Sequence, residues 1–443
     1  MRRSVAGLLF AGVLSMGACN TELGDLPARC PDGECPEGYD CINGVCARPG
    51  TAVPITVATL GNLREGDLQI IAREDGVLIA WETYPYSELG QTIFGRTLSG
   101  DGRLGDEMVL DDSWQADPGA VEPFFSIAAA EGGRVLIAVS SSPIDDDPRP
   151  RIAVFSVDES GGQSEAMWPA EARMSTIGYG NVSQPRFLAK QGGGFELGYF
   201  AGVADPLETI GRLAVFDLEA DGSLATALLP CDEGDPACCS AHRCYDSIRT
   251  QGIAAGVEQA FRWQDRSVWV IDKTRPSCII PDGMNAGEPV VDELFFDKLS
   301  LPLVSDNEGG IAFVAPSERT GDKLPTAPAS GAAHLALRTL DGDASELGEL
   351  PVVRDAPRAA WAPRDATRGY LVSPGELVDS PVLRILSVDT GSGAASEVAS
   401  IERISSLEIG SVTAAVVGEH LFVVWLETAA ERAVIRATVL PLP

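Results

Sequence analysis

Short apolar runs separated by Gly, Pro, Asp and Glu fill most of the chain from about residue 52 onward. Within these runs the apolar residues are contiguous or alternate with polar ones, and they almost never recur at the 3.6-residue period of an amphipathic helix. Alternation with a period of two is typical of a strand that buries one face. The pattern therefore predicts an all-β protein.

One unit, made of a strand, a turn, an apolar strand, a loop, a third strand and often a fourth, occurs seven times in this region. Successive second strands begin 57, 61, 63, 53, 58 and 51 residues apart. So regular a spacing indicates an internal repeat. The predicted second strands are residues 77–81, 134–139, 195–199, 258–263, 311–314, 369–372 and 420–425.

Several third strands end at an Asp-Gly turn, which supplies the positive φ that a tight hairpin needs. These strands and their turns are residues 93–98 with 100–102, 213–218 with 220–222, and 335–340 with 341–343. The repeat length and strand count match a β-propeller, whose blades are four-stranded sheets. Because one blade cannot bury both of its faces, we expect the blades to stack around one axis in a single domain, residues 51–443.

The two ends of this region predict how the ring closes. The seventh unit has only three strands, at residues 411–417, 420–426 and 433–440. Residues 51–60 form a spare strand at the other end, so we expect a seven-bladed β-propeller closed by this N-terminal strand. A six-bladed ring with a degenerate fourth unit is the alternative, and two stacked β-sandwiches fit the strand content but not the repeat.

The first residues resemble an export signal. A basic start, Met1-Arg2-Arg3, precedes an apolar run of signal-peptide length that ends at Gly17-Ala18-Cys19. This ending resembles the bacterial lipobox, in which a lipidated Cys becomes the new N-terminus. The resemblance implies a lipoprotein signal peptide at residues 1–18, a lipid on Cys19, and an exported protein anchored to the bacterial cell envelope. An ordinary signal peptide that leaves Cys19 as a free thiol is the alternative.

Residues 19–29 form a polar, lipid-anchored tether that reaches roughly 33 Å when extended. By resemblance to enteric lipoproteins, in which Asp after the anchor favours the inner membrane, Asn20 favours the outer membrane. No later stretch is long and apolar enough to span a bilayer, so we expect the lipid to be the only membrane contact.

Cys30, Cys35, Cys41 and Cys46 lie in a segment, residues 30–48, that is too small to build a core. Two disulfides are expected in an exported protein, with three alternative pairings. The motif CPDGECPEGYDCINGVC resembles the short EGF-like modules that follow the anchor in other bacterial lipoproteins, which implies a stalk or a small recognition module. A zinc site is the alternative, but the ligand spacing is wrong and no His is near.

A second group of cysteines consists of Cys231, Cys238, Cys239, Cys244 and Cys278. Disulfides that staple a long loop are the expected role. The odd number leaves a free thiol, a bond between the adjacent Cys238 and Cys239, or a bond to a partner chain. A soft-metal site that includes His242 is the alternative, and we predict no metal here.

The charge of the chain excludes one class of function. Its 443 residues include 33 Lys and Arg against 64 Asp and Glu, a formal net charge of −31, which is incompatible with holding nucleic-acid phosphates. Residues 100–106 and 145–147 faintly resemble calcium loops but lack the dense, alternating oxygen ligands. We therefore expect no cofactor, with calcium as the alternative.

No nucleophile elbow, zinc-protease motif or phosphate loop occurs in the sequence. The three His residues are His242, His334 and His420, and the last two lie in predicted strands, where a structural role is the default. With 64 acidic residues, pairs of carboxylates are unavoidable and assign no reaction. We assign no catalytic residue.

Loops after the second and fourth strands of each unit share one face of the predicted ring. The long connections fall there, at residues 82–90, 140–150, 201–210, 231–244 and 315–333. Such loops usually carry binding. The candidate ligand-contact residues on this face are Tyr84, Tyr86, Trp114, Asp145, Asp146 and Asp147.

Aromatic and acidic side chains together favour a cationic, sugar-like or basic protein ligand. The sequence thus predicts a non-enzymatic binding or scaffold module for a protein or glycan partner at the cell envelope. A propeller-type hydrolase or lyase with axial carboxylates is one alternative. A calcium-dependent adhesion module is another.

Overall fold

The computed structural model divides the chain into two units, Met1–Pro49 and Gly50–Pro443. It describes residues 34–35, 40–42, 45–47, 52–60, 68–83, 91–114, 125–141, 151–158, 162–164, 180–182, 185–190, 192–204, 209–223, 225, 243–250, 257–263, 266–271, 278–281, 301–303, 311–315, 333–338, 344–350, 359–374, 383–401, 407–429 and 432–442.

The first unit contains one small hairpin. Its strands are β1 (Asp40–Ile42) and β2 (Val45–Ala47), which pair so that Cys41 lies opposite Cys46. Cys35 is disulfide-bonded. The pairing of the other cysteines in this segment stays a prediction.

Among the residues described, the strands of the second unit form seven antiparallel sheets, numbered here in chain order. β3 (Ile55–Leu60) comes first and belongs to sheet 7. Sheet 1 contains β4 (Leu68–Arg73), β5 (Gly76–Thr83), β6 (Gln91–Ser99) and β7 (Met108–Trp114). Sheet 2 contains β8 (Phe125–Ala129), β9 (Val135–Ser141) and β10 (Arg151–Val157), with a 3₁₀ turn at Glu131–Gly133.

Sheet 3 has a first strand in two pieces, because β11 (Gly180–Val182) and β12 (Arg186–Ala189) both pair with β13 (Phe195–Ala204). It continues with β14 (Thr209–Leu218) and β15 (Arg243–Thr250). Sheet 4 contains β16 (Val257–Trp263), β17 (Arg266–Ile271) and β18 (Cys278–Pro281).

The last three sheets each have four strands. Sheet 5 contains β19 (Leu301–Leu303), β20 (Ile311–Ala315), β21 (Ala333–Arg338) and β22 (Ala344–Leu350). Sheet 6 contains β23 (Ala360–Pro363), β24 (Arg368–Pro374), β25 (Leu383–Asp389) and β26 (Ala395–Ile401). Sheet 7 contains β27 (Glu408–Val417), β28 (His420–Ala429), β29 (Arg432–Pro441) and β3.

The fourth strand of sheet 7 comes from the opposite end of the unit. β3 pairs with β29, so that Leu60 lies opposite Ala433 and Ile55 opposite Ala437. This is the pairing that the sequence predicts for residues 51–60, although the strand itself begins only at Ile55.

The first strands of the sheets contact one another in the order of sheets 5, 6, 7, 1, 2, 3 and 4, and we call these the inner strands. Contacts link β19 to β23, β23 to β27, β27 to β4, β4 to β8, β8 to β12 and β12 to β16. The Gln69 side chain on β4 also bonds the backbone of β8, because its amide donates to the Phe125 carbonyl and its oxygen accepts from the Ile127 amide. Neighbouring sheets are therefore joined at their inner edges.

Apolar layers fill the space between the sheets. Trp81 of sheet 1 is 2% exposed and packs among Phe422 and Val424 of sheet 7. One sheet further back, Trp425 is fully buried with Tyr370 of sheet 6. Trp81 and Trp425 lie at the same position of their second strands. Sheet 1 therefore packs on sheet 7 in the same way as sheet 7 packs on sheet 6.

Two sequence predictions in the second unit need correction. Residues 258–263, predicted as a second strand, form inner strand β16, because residues 266–271 follow after two residues and pair with it. Residues 201–210, predicted as a long irregular loop, are mostly strand, because the small and apolar residues there extend the hairpin of β13 and β14 as far as Ala204 and Thr209.

The remaining second strands agree with the predictions, since β5, β13, β20, β24 and β28 contain all the expected residues and β9 begins at Val135, one residue after the predicted start. His420 opens β28 and His334 lies in β21, as the sequence predicts. Residues 341–343 lie outside the described residues. The part of the chain that the structure describes contains no helix long and apolar enough to cross a membrane.

Candidate functional site

Each sheet of the second unit has two ends. At the turn end, the first strand leads to the second and the third to the fourth; at the loop end, the second strand leads to the third. The turn ends of sheets 1, 2 and 3 lie together, because Arg73 Nη2 donates to the Gly133 carbonyl at 2.9 Å and the Glu131 amide lies 3.5 Å from the Ala220 carbonyl.

The hairpins after the third strands of sheets 1, 2 and 3 have the same construction. A backbone amide eight residues further along donates to a carbonyl at the end of the third strand, at 2.8 to 3.0 Å, in the pairs Gly105 with Thr97, Ser164 with Ser156, and Ala225 with Asp217. The repeat inferred from strand spacing therefore extends to individual hydrogen bonds.

In the turns after the third strands, including that of sheet 6, aspartate side chains accept hydrogen bonds from residues of the same turn. Asp221 Oδ1 accepts from the Ser223 amide at 2.9 Å, and Asp389 Oδ1 accepts from the Ser392 amide at 2.8 Å. Hydrogen bonds from Ser223 and Ser392 respectively keep the pKa of Asp221 and of Asp389 below the usual value, and those from Ser99 do so for the pKa of Asp101. These carboxylates stay charged near neutral pH and stabilise turns.

The same bonds bear on the loop at residues 100–106 that faintly resembles a calcium loop. The Asp101 carboxylate accepts from the Ser99 hydroxyl and from the Arg103 amide of its own turn. Within the described residues, no three His, Cys, Asp or Glu side chains are grouped so that they could hold a metal ion.

Most of the predicted ligand-contact residues cannot be placed. Tyr84, Tyr86, Asp145, Asp146 and Asp147 lie outside the described residues. Trp114 is the last residue of β7, so its backbone lies at the loop end of sheet 1, and its side chain is not described. The ligand face therefore stays a prediction.

The second cysteine group is divided between two sheets. Cys244 lies in β15 of sheet 3, opposite Ala214, so the predicted insertion at residues 231–244 ends inside a strand. Cys278 begins β18 of sheet 4, opposite Trp269. Cys19, Cys30, Cys231, Cys238, Cys239 and His242 lie outside the described residues.

Two buried carboxylates have an arginine partner. Glu427 accepts from Trp425 Nε1 at 3.0 Å and from Arg436 Nε at 3.4 Å, all within sheet 7. Glu196 of sheet 3 pairs with Arg262 of sheet 4 at 3.3 Å. A buried carboxylate satisfied in this way stabilises the fold and is poorly placed to exchange protons with a substrate.

Charge is sparse on the inner strands, where a propeller enzyme would carry axial carboxylates. The charged residues on these seven described strands are Arg73, Arg186, Glu258, Arg262 and Glu408. Only two are acidic. Glu258 is the second residue of β16 and Glu408 the first of β27, so both belong to the loop end.

Both acids also lie at β-bulges. Glu258 is the extra residue where β16 slips against β17, between Val257 and Gln259. Glu408, which is exposed, precedes a similar slip between Ile409 and Ser411 on β27. Bulges re-aim side chains and are common beside active sites. Sequence reasoning missed both residues, because it assigned 258–263 to a second strand and left Glu408 outside the strand at 411–417.

No protein-family model and no curated protein matches this sequence. Among solved structures, it is similar to the polysaccharide lyase Uly1, with 8% identity over 95% of this chain and 98% of that one and a TM-score of 0.50. It is also similar to the α-L-arabinofuranosidase Arb93A from Fusarium graminearum (13% identity, 87% and 98% coverage, TM-score 0.40). A third similar structure is the β-propeller domain of the trilobed protease from Pyrococcus furiosus (10%, 86% and 96%, TM-score 0.41).

The antiparallel sheets, whose inner strands contact one another in series, and the similarity to Uly1 give the class of the fold: the second unit is an all-β domain of the β-propeller type. Identities this low concern the fold alone, because propellers host unrelated functions.

Proposed function

We propose that the protein is a carbohydrate-directed propeller enzyme, a hydrolase or lyase, whose acid and base are Glu258 and Glu408. One observation carries this proposal: the only two acidic residues on the described inner strands occupy backbone positions at the loop end of their strands, each at or beside a β-bulge. Cleavage of glycosidic bonds commonly needs two carboxyl groups that flank the scissile bond.

The proposal includes closure of the seven sheets into one ring, with β3 as the fourth strand of the last blade. In such a ring, sheets 4 and 7 lie on opposite sides of the axis, and the two glutamates lie at the rim of one channel mouth. The long connections of the loop end surround that mouth, where a polymer can bind. The polysaccharide lyase and the arabinofuranosidase of similar fold act on substrates of this class.

The test is turnover by the purified mature protein on a panel of neutral and uronate-containing polysaccharides. New reducing ends report hydrolysis, and the ultraviolet absorbance of an unsaturated uronate reports elimination. Glu258→Gln and Glu408→Gln should each lower the rate about 100-fold or more, since each removes a general acid or base. Glu419→Gln, at an exposed turn-end position, is the matched control and should keep the rate.

A second candidate is the non-enzymatic binding module, which is favoured by the lack of other described acids on the inner strands. It predicts that a glycan or basic protein binds without turnover. If the wild type and both glutamate variants bind the glycan or protein with the same affinity and release no product, the binding module replaces the enzyme as the proposed function.

We also propose that the protein is exported and lipid-anchored through Cys19, with the outer membrane as its site. The sequence Gly17-Ala18-Cys19 supports this proposal. Metabolic labelling with an alkyne fatty acid should mark the wild type and not Cys19→Ser, and membrane fractionation should place the labelled protein with outer-membrane markers. Labelling of Cys19→Ser would contradict it.

A further inference from the structure

A cavity of about 1020 Å³ opens at the turn end between sheets 1 and 2, away from the loop end. Its volume is at the upper end of the range for small-molecule sites. Three backbone segments form its walls: the turn between β4 and β5, the hairpin after β6, and the 3₁₀ turn before β9.

The cavity is lined by six charged side chains of unequal exposure. Arg73 and Arg134 are half-buried, whereas Glu74, Asp75, Asp101 and Arg103 are exposed. Charges interact more strongly where water is partly excluded, and exposed charges are screened. The two half-buried guanidinium groups therefore make the inner wall positive, although the formal charges of the lining cancel.

These two arginines have donors to spare. Arg73 uses Nη2 to bond the Gly133 carbonyl at 2.9 Å, which leaves its other N–H groups available. Arg134 Nε is buried and has no hydrogen-bond partner among the described residues. In that part of the chain neither guanidinium forms an ion pair. Asp101 Oδ1 accepts from Ser99 and Arg103. Besides the hydrogen bonds from Ser223, the charge of Arg134 helps to lower the pKa of Asp221 in the neighbouring hairpin of sheet 3.

We propose that this cavity is a second binding site, independent of the proposed loop-end function, for a small ligand with one carboxylate, held by Arg73 and Arg134. A guanidinium fork binds a carboxylate through two parallel hydrogen bonds. The exposed acids at the mouth disfavour a doubly charged phosphate and tolerate hydroxyl or ammonium groups on the rest of the ligand.

A carboxylate of this size can come from an acidic sugar or from an amino acid, and titration calorimetry separates the two. The probes are D-glucuronate, its neutral counterpart D-glucose, L-glutamate, and inorganic phosphate. Each is titrated up to about 10 mM, which is ten times the Kd of a ligand that binds with millimolar affinity. Binding of glucuronate without glucose assigns the acidic sugar, and binding of glutamate assigns the amino acid. No binding of either carboxylate, or tighter binding of phosphate, overturns the proposal.

Three variants test the assigned residues in the mature protein. Arg134→Gln and Arg73→Gln should each weaken carboxylate binding about tenfold or more, and Arg134→Lys, which keeps the charge but loses the fork, should weaken it less. Arg432→Gln, at an exposed loop-end position of β29, is the matched control and should bind like the wild type.

Unfolding midpoints identify any variant that fails to fold. If Arg134→Gln does not fold, the affinity of Arg134→Lys is compared with that of the wild type instead. If the carboxylate binds equally well to the wild type and to folded Arg134→Gln and Arg73→Gln, the site is elsewhere and the proposal is wrong. Loss of turnover in the Glu258 and Glu408 variants would leave this binding intact, so the two proposals can fail separately.

Discussion

Sheets 6 and 7 are neighbours with the same strand count but different origins. Sheet 6 is built from one continuous stretch, β23 to β26. Sheet 7 takes three strands from the end of the chain and its fourth, β3, from the beginning of the second unit. Bringing β3 to β29 closes a loop of hundreds of residues, which costs conformational entropy that sheet 6 does not lose.

The side-chain contacts differ accordingly. In sheet 7, Arg436 bonds both buried Glu427 and Thr56 of β3, and buried Thr438 donates to the Val53 carbonyl at 3.2 Å. In sheet 6, the comparable pair of Arg384 and Glu397 is partly exposed, at 32% and 38%. The segment that no short connection holds is thus attached by side-chain bonds as well as by backbone pairing: Thr56 to Arg436, and Val53 to buried Thr438.

Replacing Arg436 should give the largest effect. Arg436→Met removes the arginine from the buried Glu427 carboxylate and breaks the bond to Thr56, so we expect a loss of about 3–5 kcal/mol in unfolding free energy. Urea unfolding followed by tryptophan fluorescence measures it.

The control for this prediction is the double variant Arg436→Met, Glu427→Met. Removing both charges and keeping the volume should recover most of the loss, because no uncompensated charge stays buried. If the double variant is as unstable as Arg436→Met, the ion pair is not what holds β3.

A single neutral hydrogen bond should matter less. Thr438→Val keeps the shape of the side chain but leaves the buried Val53 carbonyl without its donor, and we expect a loss of about 1–2 kcal/mol. The measurement is the same urea titration. Thr428→Val, half-buried near the loop end of β28, is the matched substitution; an equal loss there would show that the contact to Val53 is not special.

Much of this comparison could be predicted from the sequence. Alternating apolar positions at 51–60 and a seventh unit with three strands together predict the pairing of β3 with β29. The bond between Arg436 and Thr56 could not be predicted, because these residues are 380 positions apart. The pairing of Arg436 with Glu427 depends on the register of the β28–β29 hairpin.

Sheet 4 and the candidate site show where sequence reasoning fails. The apolar residues of 258–263 resemble a second strand, but position within a sheet depends on which neighbour pairs, and β17 follows after only two residues. Glu258 was therefore not recognised as an inner-strand acid. Strand spacing also carries no information about side chains that meet between sheets, such as Arg73 and Arg134.

Acid should remove part of the stability of the sheet 6 turn that contains Asp389. Hydrogen bonds from Ser392 lower the pKa of Asp389, so the charged form stabilises the fold above pH 4 or so, and this contribution is lost as the pH falls through the lowered pKa. Asp389→Asn should be slightly less stable than the wild type at neutral pH, and this difference should disappear once the pH is below the lowered pKa. The Thr438→Val difference has no titrating group behind it and should stay constant, so a parallel decrease would contradict this assignment.

The smallest change in unfolding free energy is expected for Arg384, whose ion pair resembles that of Arg436. Arg384 on β25 pairs with Glu397 on β26 at 3.2 Å, as Arg436 on β29 pairs with Glu427 on β28. Because water solvates both partners in sheet 6, Arg384→Met leaves no buried charge and should change the unfolding free energy by about 0.5 kcal/mol or less. Added salt should reduce even this difference. A loss comparable to that of Arg436→Met would mean that burial does not distinguish the two ion pairs.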